Sequence, residues 1–269
     1  MKSYIGITGC SGSLGKTLLK IGKKKFVCFS GDVRNRDHVL KWITKNNLKA
    51  VIHLAAIVPI KDVNNNKKKA KDVNFLGTKN IVIAVKKSKV DWLFFSSTSH
   101  VYKSSYEKIS ERSKKNPVSY YGRTKLLAEN YIIDQLDRTN KRYCIGRIFS
   151  TSNKDQKKNY LVPDLKKRIK KTKRKIIFKN LNHYRDFISM QEISKIILTL
   201  CKKRYQGIIN IGRGQRVHLK DIAKIICNKY KKEFEFDDNE KPTYLIADNS
   251  KLKKLFKINK KTNLSKLIF

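Results

Sequence analysis

Tyr121 and Lys125 stand four residues apart in Tyr121-Gly122-Arg123-Thr124-Lys125, and Leu126, Leu127 and Ala128 continue the segment with helical character. Residues at i and i+4 share a helix face, so the phenol and the ammonium point the same way. A tyrosine ordinarily titrates near 10; lowering it by about three units for general acid/base work takes roughly 4 kcal/mol, part of which a neighbouring cation supplies. Tyr-x-x-x-Lys is common by chance and gains meaning only with partners. Those stand upstream, where an apolar run ends in Phe94-Phe95-Ser96-Ser97-Thr98-Ser99-His100-Val101-Tyr102. At the carboxyl end of a parallel strand, a hydroxyl such as Thr98 faces the ligand crevice and can hold an oxygen against the phenol. The plainer alternative for Thr98 is an ordinary strand-end hydroxyl, and His100 reads either as a second proton carrier or as a packed or solvent-exposed ring.

The other chemistry-bearing segment is Thr8-Gly9-Cys10-Ser11-Gly12-Ser13-Leu14-Gly15, which joins the first apolar run to a helix beginning near Leu14. A strand turning tightly into a helix leaves backbone N–H groups aimed at the helix N-terminus, and glycines let a pyrophosphate approach them. A turn of this composition with no phosphate is the plainer alternative. Gly15-Lys16-Thr17 imitates the end of a nucleoside-triphosphate loop, but its first glycine would fall on Cys10, and Gly9 is one residue too early. A dinucleotide is therefore the expected ligand. After the second strand, Cys28, Phe29 and Ser30 offer no carboxylate for a ribose, whereas Asp32-Val33 and then Arg34 follow; Arg34 leans the reading from NAD toward NADP, and Asp32 could instead cap the next helix. No metal-ligand set is read.

These residues need a scaffold that brings strand ends together. Apolar runs at Tyr4–Thr8, Phe26–Phe29, Ala50–Leu54, Asp91–Ser96 and Tyr143–Ile148 read as strands, with helices near residues 13–22, 36–46, 72–88 and 119–136. Continuous apolar strands alternating with helices specify an α/β fold: a Rossmann-type doubly wound parallel sheet covered on both faces. A further strand, Gly207–Ile211, comes late. Residues 1–150 are thus expected to form the dinucleotide-binding domain, to which the chain returns at about 183–212, while 151–182 and 213–269 form a smaller C-terminal substrate-binding lobe.

The 63 Lys and Arg against 21 Asp and Glu give a formal charge of +42. Lysines spread from end to end, with short runs at Lys23-Lys24-Lys25, Lys67-Lys68-Lys69 and Lys170-Lys171 where helix ends or loops are expected; that is a basic surface attracting anions generally, not a nucleic-acid motif. The five cysteines lack C-x-x-C spacing and read as separate core thiols in a reducing cytoplasm. No run of about 18 apolar residues indicates a membrane span, and the first residues enter a strand without a signal-peptide pattern.

Taken in order, Gly9/Gly12/Gly15 in a Gly-x-x-Gly-x-x-Gly spacing, Val51-Ile52-His53-Leu54-Ala55-Ala56 on a fourth strand, Val73-Asn74-Phe75-Leu76-Gly77-Thr78, the Ser96-Ser97-Thr98 strand end, Tyr121/Lys125 and Arg185-Asp186-Phe187-Ile188 closely resemble the extended short-chain dehydrogenase/reductases, the NAD(P)-dependent epimerase/dehydratase family of nucleotide-sugar enzymes. The resemblance implies cofactor contacts at Gly9, Ser11, Gly12, Ser13, Leu14, Gly15, Asp32, Val33, Leu54, Ala55, Ala56, Asn74, Ser96, Tyr121 and Lys125. It implies Thr98 orienting the sugar, Tyr121 as acid/base, Lys125 holding the ribose and lowering the tyrosine pKa, and Arg185 on the nucleotide diphosphate, unless Arg185 merely pairs with Asp186. His53 reads as a satisfied core histidine. Where dehydratases of the family carry Asp and Glu, this chain has Ser99 and His100, so epimerisation or 4-keto-sugar reduction is expected instead, as in dehydrorhamnose-reductase-like members, serving surface polysaccharide precursors. A homodimer pairing through the Tyr121 helix is a further implication. The rival class is a non-catalytic dinucleotide-binding regulator, which has no need of Thr98, Tyr121 and Lys125.

Overall fold

The computed structural model describes residues 4–22, 26–152, 156, 160–173, 175–258 and 263–269; Lys23-Lys24-Lys25 lies outside them. The first half alternates β1 (Tyr4–Thr8), α1 (Ser13–Ile21), β2 (Phe26–Cys28), α2 (Arg36–Lys45), β3 (Leu48–His53), α3 (Ile60–Asn65), α4 (Lys67–Lys71), α5 (Gly77–Lys86), β4 (Trp92–Thr98), α6 (Tyr120–Leu136) and β5 (Arg142–Ile148). The second half adds β6 (Ser150–Ser152), α7 (Leu161–Lys171), β7 (Ile176–Lys179), β8 (His183–Arg185), β9 (Phe187–Ser189), α8 (Met190–Lys203), β10 (Gly207–Ile211), β11 (Val217–His218), α9 (Leu219–Lys229), β12 (Phe234–Asp237), β13 (Thr243–Leu245), α10 (Ser250–Leu255) and α11 (Leu264–Ile268).

Six strands pair in parallel in the order β10-β5-β4-β3-β1-β2. The chain moves outward from β1 to β2 and then crosses to β3 on the other side, so a crevice opens between the carboxyl ends of β1 and β3. Val51 to His53 belong to the third strand rather than a fourth, because β2 passes through a short turn into α2 with no further strand before β3. Strand β4 runs two residues beyond the expected Ser96, carrying Thr98 itself on the sheet. Ahead of α5, residues Asp72–Leu76 form a π-helical turn inside the expected 72–88 helix. The Lys67 run, expected at a helix end or loop, makes up most of α4.

Alternation along the apolar strands sends successive side chains to opposite layers. Ala50, Ile52 and Phe94 pack with Leu18 of α1 and Ile193, Ile196 and Ile197 of α8, whereas Val51, Leu93 and Phe95 pack with Ile43 of α2, Ile81 of α5 and Ile132 of α6. A third apolar cluster gathers Val162, Ile169, Phe178, Val217, Ile222 and Leu267 around the later elements. One cysteine expectation is corrected: Cys10 and Cys28 form a disulfide, because β2 pairs with β1 in a register that sets Cys28 beside Ile7, with Cα atoms 6.1 Å apart. Cys144, Cys201 and Cys227 are buried thiols. No helix among the described residues is long and apolar enough to cross a membrane.

Candidate active site

The turn from β1 to α1 is built for close approach. Gly9 has φ 75°, and a Cβ there would also meet Ala55 N at 2.7 Å. A Cβ on Gly15 would collide with the Gly9 carbonyl oxygen, so the turn lies directly on the first turn of α1. That helix has no side-chain cap at Gly12 and no acidic residue in its first turn, which leaves N-terminal amides for an anion. The cradle therefore fits a dinucleotide pyrophosphate. Gly9, Gly12, Ser13, Leu14, Gly15, Leu54 and Ala56 all line one cleft of about 480 Å³, within the size range of small-molecule sites.

The loop after β3 is held by a buried relay that sequence reading half anticipated. Thr8 Oγ1 lies 2.7 Å from His53 Nδ1 and accepts from the Leu54 and Ala55 amides, each at 3.2 Å; His53 Nε2 lies 3.0 Å from Thr78 Oγ1, whose proton goes to the Asn74 carbonyl. Since the Thr78 hydroxyl is already spent as a donor, Nε2 must donate to it and Nδ1 must accept from Thr8, fixing a neutral tautomer. His53 is thus the satisfied core histidine expected, while Thr8, whose hydroxyl positions Leu54 and Ala55, was missed. Burial, followed by the Lys125 charge, pushes His53 down to about 3. The unfolded chain then takes up a proton near 6.5 that the folded chain refuses. Stability is full above pH 6.5 and falls as pH drops through that value, by about 2 kcal/mol at pH 5 from this group. Chemical denaturation at pH 7 and pH 5 reads that loss, and His53→Asn flattens the pH dependence.

Thr98, at the end of β4, and Tyr121, in the first turn of α6, meet across the cleft. The Thr98 side chain is close enough to the tyrosine hydroxyl to act on its titration, and both residues line the same cavity as the glycine turn. Ser119 caps α6 by accepting from the Gly122 amide at 3.1 Å, and a Cβ on Gly122 would collide with the His100 carbonyl oxygen, so α6 starts flush against the strand end. Burial and then Tyr160 push the Tyr121 pKa up, with the Thr98 side chain acting downward. In the protein alone Tyr121 is thus a neutral phenol, a proton donor; the lowering expected from Lys125 together with an oxidised nicotinamide concerns the cofactor-bound site. Lys125 is buried, with Nζ 4.2 Å from the Phe95 ring centroid; burial brings it down to about 7 against the upward pull of Glu129.

His100 lines the cleft with its ring centroid 6.1 Å from that of Tyr121, and burial together with Arg185 lowers it to about 4, so it is neutral at pH 7. Arg185 also lines the cleft. Its guanidinium donates to the Tyr184 and Thr243 carbonyls and to Thr243 Oγ1, not to Asp186, whose carboxylate accepts from the Arg213, Gly214 and Ala247 amides. The alternative of an Arg185–Asp186 pair is thereby corrected. Ser96 lines the cleft as well.

Other expected contacts stand apart from the cleft lining: Ser11, Asp32, Val33, Ala55, Asn74 and Lys125. Asn74 holds Ile57 through both backbone groups and donates to Thr124 Oγ1 at 3.1 Å. Asp32 is clamped by Arg34 through Nε and Nη2 and does not cap α2; Asn35 does, accepting from the His38 amide. Val33 is buried against the face of Gly77. Sequence reading also missed Thr151, Gln156 and Tyr160 in the lining. Thr151 Oγ1 and Gln156 Oε1 are buried polar atoms without a hydrogen-bond partner among the described residues, a signal that exists only in three dimensions.

Sheet order, glycine cradle and strand-end hydroxyls together define a dinucleotide-binding enzyme scaffold of the doubly wound class. The chain belongs to the NAD dependent epimerase/dehydratase family, whose profile matches residues 5–212, and as such it is an NAD(P)-dependent enzyme of the epimerase/reductase type. It is 29% identical over 252 residues to GDP-6-deoxy-D-talose 4-dehydrogenase of Aggregatibacter actinomycetemcomitans, covering 87% of this chain and 82% of that protein. It is 28% identical over 209 residues to a putative UDP-glucose 4-epimerase of Methanocaldococcus jannaschii, covering 76% and 67%. In fold it is similar to RMD from Pseudomonas aeruginosa complexed with NADPH, with a TM-score of 0.86 at 18% identity over 99% of this chain and 96% of that one.

Proposed function

We propose that the protein transfers hydride reversibly between a nicotinamide cofactor and C4 of a nucleotide-diphosphate sugar, reducing a 4-keto sugar or oxidising its alcohol. The observation that carries this reading is that Thr98 and Tyr121 line the same cleft as the glycine turn. A carbonyl oxygen placed between those hydroxyls receives a hydrogen bond from each, and Tyr121 delivers its proton as the alcohol forms. The bound nicotinamide supplies or accepts the hydride. Lys125 holds the ribose from behind Tyr121, and Arg185, lacking a carboxylate partner among the described residues, meets the diphosphate. His100, neutral, hydrogen-bonds the sugar beside the reacting carbon. The relative named for dehydrogenation at C4 of a GDP-linked 6-deoxy sugar supports the redox direction over epimerisation.

Residues 151–182 and 213–269 act in this reading as the substrate lobe. NADP is favoured over NAD, because Ser30 offers no carboxylate and Arg34 neutralises Asp32. The exposed Leu127 on α6 suits pairing with a second copy, and the cytoplasm is the proposed compartment. The test is absorbance of NADPH, then NADH, mixed with protein and GDP-, UDP- and dTDP-linked 4-keto-6-deoxy sugars. Stoichiometric loss with one of them is the expected result; conversion of a sugar to an isomer with no net loss favours epimerisation, and no change with any sugar sinks the reading.

A further inference from the structure

We propose that Cys10 and Cys28 form a thiol–disulfide site that sets how firmly the chain holds its dinucleotide, with a low-molecular-weight disulfide as its co-reactant. Cys10 lies inside the glycine turn, between Gly9 and Gly12; Cys28 is the last residue of β2 and is exposed. Their bond therefore joins the two chain segments on which the adenosine half of a dinucleotide rests, the pyrophosphate turn and the end of the second strand. The Gly15 contact with Gly9 and Cys10 locks residue 10 onto α1, so whatever fixes Cys10 also fixes the amides at the helix start. Folding has no need of this bond, since the sheet carries a large apolar cluster on each face. In an enzyme of a reducing compartment, a bond of this kind is more often redox-responsive than structural.

Formation balances as an exchange. The exposed Cys28 thiolate attacks the small disulfide, giving a mixed disulfide and releasing one small thiol; the Cys10 thiolate then attacks the Cys28 sulfur and expels the second. The two protein thiols lose two electrons and two protons, which the two small thiols carry away. With the bond formed the turn is preorganised, so the oxidised protein binds NADPH about 3- to 10-fold more tightly than the reduced protein.

The inference rests on the family's dinucleotide site and not on the sugar reaction, so either can fail alone. The test uses the full chain equilibrated with oxidised or with reduced glutathione and freed of it. Cysteines are alkylated after denaturation and counted by mass, and NADPH is titrated by fluorescence. The oxidised protein is expected to show three modifiable cysteines, the reduced protein all five, with the oxidised form binding more tightly. Cys28→Ser is expected to bind like the reduced protein after either treatment, and Cys28→Ala serves if that variant does not fold. Five modifiable cysteines after oxidation, or equal affinity within about twofold with the bond present, overturns the proposal; the comparison within the natural sequence needs no variant.

Discussion

Tyr121→Phe is expected to lower turnover by about 10²- to 10⁴-fold, the range that a positioned general acid contributes, while leaving NADPH affinity within about threefold. The substitution keeps the ring and its edge-on contact with His100 and removes only the proton carried between Thr98 and the sugar oxygen. Fluorescence titration and single-turnover absorbance separate the two effects. The split matters because a regulator that merely binds a dinucleotide would lose nothing measurable. Turnover within tenfold of the parent would assign the proton to another group; His100, which lines the same cleft, is neutral at pH 7, so a donor role for it would grow only as the pH falls toward about 4.

Glu129→Ala is expected to cost about 3–5 kcal/mol of stability by leaving a buried guanidinium unpaired. Arg147 and Glu129 are each about 1% exposed, with Arg147 Nη2 at 2.6 Å from Glu129 Oε2 and its Nε sharing both carboxylate oxygens. The remaining groups are spoken for: Ser97 donates to Glu129, Arg147 Nη1 donates to Tyr102 OH and the Glu111 carbonyl, and Tyr102 OH donates to Asn210 Oδ1 at 2.7 Å. One network thus ties β4, α6, β5 and β10 just behind Thr98 and Lys125. Chemical denaturation of Glu129→Ala against Glu129→Leu/Arg147→Met measures the cost; the double variant, having no stranded charge, is expected to recover most of it. Equal loss in both would mean that packing volume, not the ion pair, matters there.

The parallel sheet was legible because each strand is a nearly unbroken apolar run between helical segments, and the candidate site could be outlined because glycine turn, strand-end hydroxyls and Tyr121/Lys125 each carry local chemistry. What escaped depends on contacts distant in sequence. Thr8 and His53 are 45 residues apart, and nothing near Thr8 announces that its hydroxyl holds Leu54 and Ala55. The Cys10–Cys28 bond follows from the β1–β2 register, which five scattered cysteines do not reveal. The upward push of burial on Tyr121 in the protein alone is likewise not legible in sequence, since it is set by how tightly α6 meets β4. Arg34 and Asp32, two residues apart, pair with one another, which sequence alone leaves open among ribose, phosphate and helix cap.

The central claim is hydride transfer to C4 of a nucleotide-linked sugar. The direct measurement is single-turnover incubation with NADPH deuterated at the transferring position and a nucleotide-linked 4-keto-6-deoxy sugar, followed by mass and NMR analysis of the product. One deuterium at C4 of each product molecule, lost in Tyr121→Phe, is the predicted result; a product without deuterium, or deuterium at another carbon, would contradict the account.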